Sequence, residues 1–140
     1  TGLWKTDGTE AGTVMIKHIY PSGWYIPPMV KMNGAIYFSA DDGTNGYELW
    51  KTDGTQAGTV MVKDINLGSG SSNPSSFQNI NGTLYFQADD GVHGVELWKS
   101  DGTAAGTVLV KDIIPGTSGS YPSSSSSWIR VTHTRRYIFN

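Results

Sequence analysis

Apolar and polar residues alternate along this chain in short runs bounded by Gly, Asn, Asp and Ser, and no stretch keeps a helical period. The clearest runs lie in its second half. Residues 83–88 read Thr-Leu-Tyr-Phe-Gln-Ala, which puts Leu84 and Phe86 on one face of a strand and Tyr85 on the other. Residues 95–100 set Val95 and Leu97 against Trp98 in the same way. A sheet wet on one side alternates more cleanly than this, so the pattern predicts sheets covered on both faces. Four strands are predicted in this unit, over residues 77–80, 83–88, 95–100 and 108–113. Asn81-Gly82 is the pair favoured in a two-residue type I′ hairpin, where both central residues need positive φ. Residues 89–94 and 101–106 carry Asp and Gly at turn positions, and the longest loop, 66–76, is rich in Gly and Ser and contains Pro74.

The same pattern recurs. Residues 3–19 and 49–65 differ only at Glu10/Gln56, Ile16/Val62 and His18/Asp64. Residues 49–65 and 97–113 differ only at Thr52/Ser100, Gln56/Ala104 and Met61/Leu109. Trp4 and Trp50 are 46 residues apart (50 − 4), Trp50 and Trp98 are 48 apart (98 − 50), and the extra length falls in the loop before Asn33 or its counterpart Asn81. The expected fold is therefore all-β: one array over residues 1–140, with copies starting near Leu3, Leu49 and Leu97. Each unit is a four-stranded antiparallel blade of about 46–48 residues in a partial β-propeller. Three copies are fewer than the roughly four to eight blades that close a ring. The array is accordingly expected to meet further blades of the same parent chain, or to self-associate.

The segments Glu48-Leu49-Trp50-Lys51-Thr52-Asp53-Gly54-Thr55 and Glu96-Leu97-Trp98-Lys99-Ser100-Asp101-Gly102-Thr103 resemble the defining motif of the bacterial ELWxxDGT-repeat family. The continuations Ala57-Gly58-Thr59-Val60 and Ala105-Gly106-Thr107-Val108 fit it as well, and the resemblance runs from residue 1 to about residue 124. Thr1-Gly2 departs from the family pattern before the first Leu-Trp. The resemblance implies a segment of a large exported bacterial protein with propeller-like blades, placed outside the cell or at its surface. It implies little about activity.

Composition narrows the partners. The net charge is −2, so no basic surplus exists to neutralise a nucleic-acid backbone, and no nucleic-acid partner is expected. No apolar run reaches the roughly 18 residues of a membrane helix. The absence of cysteine excludes disulfides and thiolate chemistry within the chain.

Residues 125–140 break the register. Tyr121-Pro122-Ser123-Ser124 aligns with Asn73-Pro74-Ser75-Ser76, but Ile129-Arg130 stand where Asn-Gly is due, and Arg130, Arg135 and Arg136 are the chain's only arginines. Two readings stay open: a divergent last strand, or a shifted reading frame. Sequencing the encoding DNA separates them.

Candidate chemistry is sparse. Asp41, Asp42 and Glu48, with their counterparts Asp89, Asp90 and Glu96, offer oxygen ligands of the kind calcium takes. Their spacing lacks the order of an EF-hand loop, and Asp-Gly hairpin turns explain them equally. Trp4, Trp50 and Trp98 recur at one strand position, which favours packing between sheets over a ligand-stacking row. Trp24, Tyr25 and Tyr121 fall in variable loops and are the candidate binding surface. Asp7, Asp53 and Asp101 are expected to accept local amide hydrogen bonds, with Thr9, Thr55 and Thr103 assisting. Lys51/Asp64 and Lys99/Asp112 are expected to pair across strands. His18, His93 and His133 share no metal spacing, and no Gly-x-Ser-x-Gly elbow occurs, so no catalytic residue is assigned.

The function expected from the residues is non-catalytic: a rigid β framework that displays loops to a protein or glycan ligand. The alternatives are part of a propeller enzyme whose catalytic groups lie elsewhere, and a calcium-stabilised structural array. No cofactor other than calcium is expected.

Overall fold

The computed structural model describes residues 1–21 and 28–122. Among them there is no helix, and eleven strands form three antiparallel sheets. The first sheet pairs β1 (Leu3–Lys5) with β2 (Val14–Lys17). The second contains β3 (Tyr20–Pro21), β4 (Val30–Met32), β5 (Ala35–Asp41), β6 (Tyr47–Thr52) and β7 (Val60–Lys63). The third contains β8 (Ser75–Ile80), β9 (Thr83–Asp89), β10 (Val95–Ser100) and β11 (Val108–Lys111), in the order β11-β10-β9-β8.

The third sheet has the four strands predicted for it, although its last strand ends at Lys111 rather than residue 113. The second sheet differs by one strand. Its outer strand is in two pieces, with β3 pairing Asp41 and Ala40 and β4 pairing Tyr37 through Ala35, both on β5. In the third sheet β8 runs unbroken along β9, but its register slips between Ser75 and Gln78 at the same place. The connection from Ile19 to Asn33 is two residues shorter than that from Ile65 to Asn81 (33 − 19 = 14 against 81 − 65 = 16), and residues 22–29 of it separate β3 from β4.

Local chemistry fixes the hairpins. Asn33 and Asn81 have φ of 50° and 52°, and the glycines after them 82° and 81°, as a type I′ turn requires. Each Leu-Trp pair carries a bulge: the register against the following strand slips between Leu3 and Trp4, between Leu49 and Trp50, and between Leu97 and Trp98.

The second sheet is buried on both sides. One face gives Phe38, Ala40 and Trp50 to a cluster completed by Leu3, Ile16 and Ile19 of the first sheet and its exit. The other gives Met32, Tyr37, Leu49, Val62 and Ile65 to a cluster with Leu84, Phe86, Ala88 and Trp98 of the third. Leu49 and Trp50 are adjacent in sequence and serve opposite clusters, at 0% and 4% exposure. This explains why the strands lack clean alternation: the centre of each face of the middle sheet is covered by a neighbouring sheet.

Lysines tie the sheets together. Lys5 Nζ donates to Gly54 O at 3.0 Å, and Lys51 Nζ repeats the contact to Gly102 O at 2.7 Å. Lys17 Nζ donates to Thr59 O at 2.7 Å and lies 5.5 Å from the Trp50 ring centroid. Lys63 does the same toward Thr107 O (2.9 Å) and Trp98 (6.0 Å). The expected pairing of Lys51 with Asp64 is thereby corrected, because Lys51 reaches across to the next sheet. Lys99, which among the described residues has no further sheet to reach, is exposed and forms no ion pair with Asp112.

Candidate binding face

Strand directions sort the connections to two ends. β5 begins at the Asn33-Gly34 hairpin and ends at Asp41, and β6 returns from Tyr47 to Thr52. The Asn-Gly and Asp-Gly-Thr turns therefore share one end of the stack. The Asp-Asp-Gly turns and the long loops share the other.

At the first end, each Asp-Gly-Thr turn closes on itself. Asp53 Oδ1 accepts from Thr55 N at 2.8 Å and from Thr55 Oγ1 at 2.7 Å. Thr55 Oγ1 accepts from Gly58 N at 2.9 Å, and Thr59 Oγ1 donates to Thr55 O at 2.6 Å. Asp7 and Asp101 make the same bonds with Thr9 and Thr103. These bonds hold all three carboxyls below the usual carboxylate range, the threonine hydroxyl contributing most. A carboxylate so satisfied within its own turn is a folding device.

At the second end, the loops are knitted by two buried glutamates. Glu48 is fully buried and accepts from the amides of Ile65 (2.9 Å), Asn66 (3.2 Å) and Ser72 (3.0 Å), and from Ser72 Oγ at 2.6 Å. Burial nonetheless wins over these bonds and raises its pKa above the ordinary 4.5. Stability from that shift is present below 4.5 and is lost as the pH rises through the raised folded value. Glu96, also fully buried, accepts from Ile114 N and Ser120 Oγ. Sequence reasoning placed both glutamates with calcium candidates and missed this pinning role. The signal was available, since a glutamate two residues before each conserved-spacing Trp50 and Trp98 sits inside a strand, not in the loop.

The acidic turns are likewise occupied locally. Asp41 Oδ1 accepts from Gly43 N at 2.7 Å, while Asp42 holds Thr44 N, Asn45 N and Asn45 Nδ2. Asp89 and Asp90 repeat this toward Gly91, Val92 and His93. Asp90 Oδ2 also meets His93 Nδ1 at 2.7 Å. That bond raises the histidine's pKa above 6.5. Burial would raise Asp90, but the amide and ring bonds from His93 outweigh it and lower its pKa. Among the described residues no three His, Asp or Glu side chains gather closely enough to hold a metal ion.

Three large apolar side chains stand exposed on the loops of this end. Leu67 is 82% exposed, Val92 63% and Tyr121 63%. The backbone beneath them is held firmly: Asn73 N donates to Tyr47 O, Asp89 N to Ser72 O, and both Ser120 N and Tyr121 N to Val95 O. Leu67 and Val92 were not singled out in the sequence, where a lone apolar loop residue carries no pattern. Trp24 and Tyr25 lie outside the described residues. Trp50 and Trp98 are buried between sheets, whereas Trp4 is 58% exposed, with no sheet over its outer side among the described residues.

No family model, no curated protein and no solved structure matches this chain. Among the described residues no helix is long and apolar enough to cross a membrane.

Proposed function

We propose that this chain is a non-catalytic display scaffold: stacked blade-like sheets, part of a larger exported bacterial protein of the ELWxxDGT-repeat type, that present loops to a protein or glycan partner. The observation that carries this reading is the middle sheet, with a buried core on each face and clamped by lysines to its neighbours. Such a sheet has little freedom to move and makes a stiff base for loops. The turn aspartates and the two buried glutamates that recur from copy to copy hold turns and loops, which suits a framework. The exposed Leu67, Val92 and Tyr121 stand on pinned backbone at one end, where a partner loses little entropy on binding. The parent's propeller architecture and its extracellular location belong to this proposal and rest on the motif.

The test is an array of defined glycans and secreted proteins probed with the labelled chain. Binding should fall about tenfold or more in a Leu67→Ser/Tyr121→Ser double variant and stay unchanged in Glu10→Gln at the opposite end. A ligand whose affinity ignores the loop pair, or is lost with Glu10, would overturn the assignment of the face.

A further inference from the structure

β6 and β10 are central strands, each hydrogen-bonded on both sides: β6 by β5 and β7, β10 by β9 and β11. β1 carries the same Leu-Trp-Lys sequence and the same bulged pairing to the strand after it, yet among the described residues its other edge is unpaired. Beside that edge lies a groove of about 330 Å³ between the first and second sheets. Leu3, Lys5, Met29, Ile36, Asp53 and Gly54 line it, and its wall is mostly apolar.

The corresponding space between the second and third sheets is filled. Tyr37, on β5, is 3% exposed there, and its hydroxyl occupies the place where a Cβ on Gly102 would lie. Asp101 is near enough for its charge to act with burial in raising the tyrosine's pKa. Gly54 is the counterpart of Gly102, and a Cβ built on it meets nothing within 4 Å. The first gap thus has the glycine, the aspartate and the apolar wall of a tyrosine site, without the tyrosine.

We propose that this edge of β1, unpaired among the described residues, takes an antiparallel β-strand of the aromatic type found at residues 36–40, and that the groove receives that strand's tyrosine. The register follows from the two filled copies. Tyr37 pairs with Lys51 and Tyr85 with Lys99, while Phe38 pairs with Trp50 and Phe86 with Trp98. The incoming tyrosine therefore sits opposite Lys5 and the phenylalanine opposite Trp4. Backbone bonds to the edge supply affinity and the alternate side chains supply selectivity, as in other strand-addition sites. The exposed Trp4 gains the aromatic neighbour that its counterparts already have. This inference goes beyond the display reading and does not depend on what the loops bind.

The experiment titrates a peptide of residues 35–41, Ala-Ile-Tyr-Phe-Ser-Ala-Asp with a soluble polar tail, into the intact chain. Calorimetry gives the affinity and amide chemical shifts give the place. Saturable one-to-one binding is expected, with shifts at Leu3 through Thr6. A Tyr37→Ala change in the peptide should weaken it about tenfold or more, and a Phe38→Pro change should abolish it, because proline breaks the ladder. Ile36→Glu in the chain puts a charge into the groove and should weaken binding too. Trp4→Ala removes an exposed side chain and serves as a second variant that leaves the core alone. Absence of saturable binding, equal binding of the proline peptide, or shifts confined to the outer edge of β11 would overturn the proposal.

Discussion

A methyl group at Gly58 would land on the Asp53 carboxylate, and the same holds for Gly12 with Asp7 and Gly106 with Asp101. The Asp-Gly-Thr-x-Ala-Gly-Thr spacing is thereby explained, since the second glycine makes room for the carboxylate that closes the turn. Gly58→Ala should cost about 1–3 kcal/mol in denaturant unfolding, while Ala57→Gly next to it, which is exposed, should cost well under half of that. Equal losses at the two positions would remove the steric explanation. The Asp90–His93 contact gives a pH prediction. The histidine's raised pKa means that its favourable term is present below 6.5 and fades as the pH rises through the folded value. The lowered Asp90 term is present above 3.8 and fades as the pH falls through its folded value. Both therefore operate together from about 3.8 to 6.5. In an NMR titration His93 should protonate above 6.5, and Asp90→Asn should return it toward 6.5. The aspartates of the turns were legible in the sequence because Asx turns are local. The Glu48 cage was not, because its four donors lie 17 to 24 residues away.

Equivalent positions in different sheets have unequal surroundings, which makes stability position-dependent. Leu49 is fully buried between two sheets, and Leu49→Ala should cost about 2–5 kcal/mol. Leu97 is only half-buried, because among the described residues nothing lies over its face of the third sheet, so Leu97→Ala should cost less than half as much. Trp50→Ala should likewise cost about 3–5 kcal/mol against a small effect for Trp4→Ala. Denaturant midpoints of the four variants check the series, and similar losses within each pair would contradict the stacking order. The strands themselves were legible from hairpin chemistry and periodicity. What the sequence could not reveal is which copy is covered on which side, because residues 3–19 and 49–65 are nearly identical while their environments are set by neighbours. The split of the outer strand into β3 and β4 was hidden for a different reason: it lies in the connection whose sequence and length differ between the copies.

Among the described residues, the three sheets form a stack in which only the middle one is covered by a sheet on each face. Each aspartate of the acidic turns binds its own turn through at least one oxygen, and among the described residues no three acidic or histidine side chains gather at one point, so 5 mM calcium, on the order of the extracellular-module range, should leave the melting temperature within about one degree. A rise of several degrees would restore the calcium-stabilised reading of Asp41, Asp42, Asp89 and Asp90. The most direct measurement of the central claim is hydroxyl-radical footprinting of the native chain, read by mass spectrometry at Leu49, Trp50, Trp98 and Trp4. Trp4 should oxidise rapidly, and Leu49, Trp50 and Trp98 should react only when the chain unfolds. If Trp50 or Leu49 oxidised natively as fast as Trp4, one face of the middle sheet would be wet and the stack would not exist.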